Sequence, residues 1–166
     1  GDGTNDEYPV IYDQTNPTNG SERVTNGDFA TTSDWSENGG ENAWSISGGK
    51  ANCVAYGLLR YFEQTNALAT SGAGKTYKVV FTVSNYSQGL MRINVGGYQV
   101  GAAVSSNGTH TQYIAVTNAS SNKSVYLQSN ANTILSVDNI SVKEVQGNPA
   151  TMTNMVEGNI TNQYPL

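Results

Sequence analysis

The sequence has few of the residues on which catalysis and covalent cross-linking usually depend. Its 166 residues include one cysteine, Cys53, and one histidine, His110. A lone cysteine forms no intrachain disulfide, and a lone histidine excludes most metal sites and triads built on imidazole. Charged residues make up 13% of the chain and the net charge is −5. That balance argues against a nucleic-acid partner, because phosphate binding needs clustered cations.

Long apolar runs are also missing. No stretch reaches the roughly 18 residues that a membrane-spanning helix requires, so we expect no membrane partner. The chain is rich instead in Asn, Gly, Thr and Ser, which are typical of turns. Most acidic residues lie within residues 1–41, whereas most basic residues lie within residues 42–166. A solvated acidic face explains this asymmetry most simply, and the alternatives are head-to-tail contacts between copies of the chain or a cation site.

Several short segments alternate apolar and polar side chains with the period of two that marks a half-buried strand. The clearest segment is residues 76–83, whose apolar face comprises Tyr77, Val79, Phe81 and Val83. Similar alternation occurs in residues 91–95, 112–116, 125–127 and 140–143. Turn signals rich in Gly and Asn separate these segments. The sequence therefore predicts an antiparallel β-sandwich or barrel.

Three other stretches are less regular. Residues 54–69 could form a helix or a strand, and the pair Tyr61 and Phe62 favours a strand. Residues 1–20 and 147–166 are rich in Pro, Asn and Gly and lack sustained periodicity. We therefore predict two extended arms or connectors around a central domain that spans residues 21–146.

Catalytic motifs are weak. Residues 69–76 fit a loose phosphate-loop pattern, but a strand follows where the pattern requires a helix, which favours a Gly-rich turn. His110 lies near a turn with no sequence sign of a partner nucleophile, and Cys53 is most simply a small buried residue. Glu37 and Glu41 fall in a loop that would hold a carboxylate pair poorly. The sequence therefore predicts a protein that is not an enzyme.

Aromatic side chains indicate a different chemistry. Trp35 and Trp44 flank a polar loop, Tyr56 and Tyr61 follow, and Tyr98 lies at a turn. Sugars present flat C–H faces that stack on aromatic rings, and their hydroxyls form hydrogen bonds with Asn, Gln and Arg side chains. We predict that Trp35, Tyr56, Tyr61 and Tyr98 bind a ligand. Burial in the core is the alternative for the two tryptophans.

Four segments, taken in order, carry a family resemblance. They are residues 24–29 (VTNGDF), 44–51 (WSISGGKA), 74–79 (GKTYKV) and 134–145 (ILSVDNISVKEV). They resemble the opening, the central strand and the closing strand of the carbohydrate-binding modules of families 4, 9 and 22. The resemblance implies an all-β fold, an antiparallel jelly-roll β-sandwich of the galactose-binding-like type.

Many members of these families hold a structural calcium ion where the first and last strands meet. The resemblance implies Asp138 as a side-chain ligand and Asp28 as a weaker one, assisted by backbone carbonyls near Thr25 and Gly49. Ala30 stands where the family often has Glu, which is a departure from its pattern. A break in the apolar alternation at Asp138-Asn139 also predicts a β-bulge there.

The same segments, with the flanking residues 1–15 and 147–155, also resemble modules of tailed-phage virion proteins. This resemblance implies a non-catalytic structural module of a tail fibre or capsid decoration. Such a module would assemble through its arms with copies of itself or other virion proteins, with adhesion to cell-surface glycans as an additional role. It would lie on the virion surface or outside the cell. The alternative is a monomeric carbohydrate-binding module of a larger extracellular protein or enzyme.

Overall fold

The computed structural model describes residues 19–38, 42–69, 72–97, 99–117 and 122–146. Within these ranges the chain forms eleven β-strands and no helix. The strands are β1 (Asn19–Glu22), β2 (Ser36–Asn38), β3 (Trp44–Ser47), β4 (Lys50–Val54), β5 (Arg60–Gln64), β6 (Lys75–Gln88), β7 (Met91–Val95), β8 (Gln99–Val100), β9 (Gly108–Val116), β10 (Val125–Ser129) and β11 (Ile134–Val145). Nothing in these ranges forms a helix able to cross a bilayer.

The strands form two antiparallel sheets. The six-stranded sheet has the order β3-β4-β11-β6-β9, and β1 also pairs with β11. The five-stranded sheet has the order β2-β5-β10-β7-β8. Spatial neighbours are rarely neighbours in sequence, so the chain crosses repeatedly between the sheets, as in a jelly roll. The predicted fold class, an all-β antiparallel jelly-roll sandwich, is confirmed, and the ambiguous stretch contributes strand β5.

Inward-facing side chains of both sheets form one core. In β6 the buried apolar side chains are the four that the alternation predicts, Tyr77, Val79, Phe81 and Val83. Trp44 of β3 stacks on Phe62 of β5 with ring centroids 5.7 Å apart, and Phe62 stacks on Trp35 at 5.9 Å. Because β3 and β5 belong to different sheets, this aromatic stack joins the two layers.

The unit that contains these strands spans Asn19–Val145. The predicted arms, residues 1–20 and 147–166, lie outside the described residues except for Asn19 and Gly20, which belong to β1. The extended conformation of the arms therefore stays a prediction.

The predicted bulge in β11 is present, and it fixes the approach of the loop that follows β1. The register of β11 on β6 shifts between Asp138 and Ser141, and Asn139 has a φ of 53°. The Ile140 amide donates to the Gly27 carbonyl at 2.8 Å. A β-carbon on Gly27 would lie 2.1 Å from the Ile140 carbonyl oxygen. Glycine is therefore required where the loop meets the bulge.

Replacing Gly27 by alanine tests this close approach. We expect Gly27→Ala to lower the free energy of unfolding by about 2 kcal/mol, because the added methyl group forces the loop away from β11. Urea denaturation measures the change. Ala30→Ser, an exposed substitution in the same loop, is the control and should stay within about 0.5 kcal/mol of the parent. Equal midpoints for Gly27→Ala and the parent chain would contradict the described contact.

Candidate functional site: a groove on the five-stranded sheet

The outer face of the five-stranded sheet carries the candidate site. Phe62, Ile93 and Leu127 are buried against the core, so the residues next to them in each strand point to the outer face. The strand registers align these outer residues in two rows. One row contains Asn38, Tyr61, Gln128 and Arg92. The other contains Ser36, Glu63, Tyr126, Asn94 and Val100.

A groove of about 410 Å³ lies on this face, within the size range of small-ligand sites. Each of the five strands contributes to its lining, through Asn38, Tyr61, Tyr126, Asn94 and Val100. Neighbouring strands lie about 4.8 Å apart, so a lining that runs from β2 to β8 extends over about 19 Å. The groove therefore crosses the strands and is longer than a single small ring.

Contacts among the lining side chains hold the groove in shape. The rings of Tyr61 and Tyr126 meet edge to face, with centroids 6.0 Å apart. Asn122 Nδ2 donates to the Tyr126 hydroxyl at 2.6 Å, and Asn94 Nδ2 donates to Gln128 Oε1 at 2.8 Å. Side chains that are already ordered lose less conformational entropy when a ligand binds.

One acceptor in this lining lacks a partner. Asn94 is 5% exposed, and its Oδ1 has no hydrogen-bond partner among the described residues. Gln64, a second buried amide of this sheet, differs: its Oε1 accepts from the Thr25 amide and its Nε2 donates to the Thr25 carbonyl, both at 2.9 Å. Buried polar atoms are normally paired. Among the six buried side-chain atoms without a partner in the described part of the chain, the oxygen of Asn94 is the one that belongs to the groove lining.

The structure corrects one of the four predicted aromatic ligand contacts. Trp35 is 6% exposed and packs against Phe29 and Phe62. Its indole N–H donates to the Thr25 carbonyl at 3.2 Å. The prediction that Trp35 stacks on a ligand is therefore wrong, because the ring is enclosed by the core. Burial, the alternative stated for the tryptophans, describes both Trp35 and Trp44.

The three predicted tyrosines lie in different places. Tyr61 lines the groove. Tyr56 is 66% exposed on the loop between β4 and β5, beside the exposed Leu58, and is not part of the groove lining. Tyr98 lies outside the described residues. Ligand binding by these tyrosines stays a prediction. Of the two that the structure describes, Tyr61 lies together with other candidate groups and Tyr56 does not.

Tyr126, Asn94 and Gln128 were missed by the sequence analysis. A signal was present, since Tyr126 and Gln128 alternate with the buried apolar residues Val125 and Leu127. That signal places them on the outer face of a sheet but does not show which strands lie beside them. Only the pairing of β10 with β5 and β7 brings these side chains next to Tyr61.

The predicted calcium ligands do not assemble a cation site in the described part of the chain. Asp28 is exposed, and Asp138 Oδ1 accepts from the Asn139 amide at 2.6 Å. The Thr25 carbonyl accepts hydrogen bonds from an indole and from an amide side chain, which engages both its lone pairs. Across the described ranges no group of three or more His, Cys, Asp or Glu side chains could hold a metal ion. Asp28, Asp138 and the Thr25 carbonyl therefore do not by themselves supply the six to eight oxygens that calcium takes, and a bound calcium ion stays a prediction.

Removing divalent ions tests the calcium hypothesis. Because a ligand that binds only the folded state raises its stability and the donor set does not fit one, we expect the same melting temperature in EDTA and in calcium. Differential scanning calorimetry measures it in the parent chain and in Asp138→Ala and Asp28→Ala, which remove the two predicted side-chain ligands. A fall of several degrees on chelation that Asp138→Ala abolishes would instead establish the metal site.

The chemically reactive residues have structural surroundings. Burial raises the pKa of the Cys53 thiol to about 11, so the thiolate nucleophile is scarce at neutral pH. The His110 ring stacks on Phe81 with centroids 5.4 Å apart, and its Nε2 lies 3.2 Å from the Ser106 carbonyl. Glu37 accepts a hydrogen bond from a backbone amide at 2.9 Å. These contacts are those of residues that maintain the fold.

Comparison with known proteins gives a distant similarity. No protein-family model matches the chain, and no curated protein matches it. Among solved structures, the chain is similar to TmCBM61 in complex with β-1,4-galactotriose. The identity is 15%, the match covers 74% of this chain and 97% of that one, and the TM-score is 0.45. A similarity this distant does not assign the chain to a family.

Proposed function

We propose that this domain is a non-catalytic carbohydrate-binding module whose ligand lies in the groove of the five-stranded sheet. The observation that carries the proposal is the chemistry of the lining, in which two tyrosine rings stand among amide side chains. Sugar C–H faces pack against aromatic rings. Sugar hydroxyls both donate and accept hydrogen bonds, and so do Asn and Gln.

The lining favours a neutral glycan. The described residues that form it carry no charged side chain, so a carboxylate or sulfate on the ligand would lose its hydration without gaining a cation from the lining. Amides pair with hydroxyls without that penalty. We therefore expect binding that changes little with ionic strength, since salt screens interactions between charges.

The extent of the lining favours a chain of several sugars. Its outermost residues, Asn38 on β2 and Val100 on β8, lie on opposite edges of the sheet. A chain laid across the strands would contact Tyr61 and Tyr126 between these two ends. Affinity should therefore rise with oligosaccharide length until the groove is filled.

Substitution of the groove tyrosines tests the proposal. We expect Tyr61→Ala and Tyr126→Ala each to weaken binding at least tenfold, or about 1.4 kcal/mol, because each removes a ring that packs on the sugar. Isothermal titration calorimetry with cellotriose, xylotriose, laminaritriose and β-1,4-galactotriose measures the affinities. Tyr61→Phe keeps the ring, and Tyr56→Ala removes an exposed ring outside the groove.

The variants separate the alternatives. Parent-like binding by both Tyr61→Ala and Tyr126→Ala would show that the groove is not the site. Loss of binding in Tyr56→Ala alone would move the site to the loop between β4 and β5. If no trisaccharide binds the parent chain and none is retained on a glycan array, the carbohydrate-binding proposal fails.

The structural role in a virion is a second hypothesis, and it concerns the arms rather than the groove. No contact among the described residues bears on it, so assembly with copies of the chain or other virion proteins stays a prediction. The location on a virion surface or outside the cell also stays a prediction.

Solution mass distinguishes this hypothesis from a monomeric binding module. For the module we expect a monomer by light scattering at every concentration, because ligand binding in the groove needs no second copy. The structural role predicts a defined oligomer that dissociates when residues 1–18 are deleted, a truncation that leaves β1 intact. An oligomer of this kind would contradict the monomeric module.

A further inference from the structure

Asn94 is buried although it belongs to the outer, polar face of β7. Met91, Ile93 and Val95 of β7 are fully buried, and Asn94 is 5% exposed. An amide at this depth lowers stability unless each of its polar atoms is paired. Both the nitrogen and the oxygen of the Asn94 side chain therefore need hydrogen-bond partners.

Only the side-chain nitrogen of Asn94 has a hydrogen-bond partner. Asn94 Nδ2 donates to Gln128 Oε1 on β10 at 2.8 Å, which holds the amide plane across the two strands. Oδ1 is buried and has no partner in the described part of the chain. In register, Asn94 lies between Tyr126 and Val100, an aromatic and an aliphatic side chain that both line the groove.

We propose that Asn94 is a specificity-determining residue of the groove, whose Oδ1 accepts a hydrogen bond from a free hydroxyl of the bound glycan. This inference rests on the proposed carbohydrate-binding function. The glycans it selects are neutral sugar chains in which the hydroxyl that meets Asn94 is unsubstituted. Gln128 acts as a positioning residue, because it orients the amide through Nδ2.

The selection follows from the cost of an unpaired buried acceptor. A site built to bind a hydroxyl discriminates strongly against an analogue without it, because the acceptor then stays unpaired in the complex. Removing, methylating or acetylating that hydroxyl should therefore weaken binding. The packing of the sugar on Tyr61 and Tyr126 would be unaffected by its removal.

A pair of matched variants tests the role of Asn94. Asn94→Leu keeps a similar volume and removes both polar atoms, while Gln64→Leu removes a buried amide whose two polar atoms are both paired. We expect Asn94→Leu to bind the best trisaccharide of the panel at least tenfold more weakly. Its melting temperature should fall less than that of Gln64→Leu, because only one hydrogen bond of Asn94 is lost.

Affinities for monodeoxy analogues of the same trisaccharide distinguish a contact between Asn94 and the ligand from a purely structural role of Asn94. For the analogue that lacks the hydroxyl in contact with Asn94, we expect the parent chain to bind at least tenfold more weakly than it binds the complete trisaccharide. Asn94→Leu should bind that analogue and the complete trisaccharide with equal affinity. The other analogues should lose affinity equally in both proteins. This non-additivity identifies the hydroxyl that contacts Asn94. Asn94→Ala serves in the same comparison if the leucine variant does not fold.

The outcomes distinguish the two proposals. If Asn94→Leu binds like the parent chain while Tyr61→Ala does not, Asn94 is not a specificity residue and the groove remains the site. Strictly additive losses for every deoxy analogue would also overturn the inference. If no trisaccharide of the panel binds the parent chain, the proposed function fails, and the role of Asn94 fails with it.

Discussion

The burial of Phe62 between the two sheets is the constraint on which the candidate site depends. Phe62 stacks on Trp44 of the opposite sheet and on Trp35 of the loop before β2, so its orientation is fixed from two directions. Consecutive side chains of a strand point to opposite faces. Tyr61 must therefore face outward, into the groove. A slip of one residue in β5 would bury Tyr61 and expose Phe62.

In the neighbouring strands, too, the burial of one residue sends the next residue to the outer face. Burial of Leu127 and Ile93 sends Tyr126 and Asn94 to the face that Tyr61 occupies. The site is thus built on paired strands rather than on loops, and the pairing sets the distances between its groups. Sites on regular elements hold their side chains more closely than sites on loops. The aromatic and amide contacts within the groove add to this preorganisation.

Local patterns predicted the fold better than the site. The alternation in β6 and the break at Asp138-Asn139 are properties of one strand, so they can be read along the chain, and both are present. Trp35 was misassigned because a tryptophan beside a polar loop has the same sequence context whether it is exposed or buried. Asn94 was missed because its significance arises from strands far away in sequence. The calcium ligands implied by resemblance depend on a convergence of loops that residue types alone do not specify.

The central claim is that the outer face of the five-stranded sheet binds a neutral sugar chain. Backbone amide chemical-shift mapping by NMR, with a neutral trisaccharide titrated into the isotope-labelled chain, tests it most directly. The account predicts shifts that follow the two rows across β5, β10 and β7, with the largest changes near Tyr61 and Tyr126. Shifts confined to the six-stranded sheet, or to the loop between β4 and β5, would contradict it.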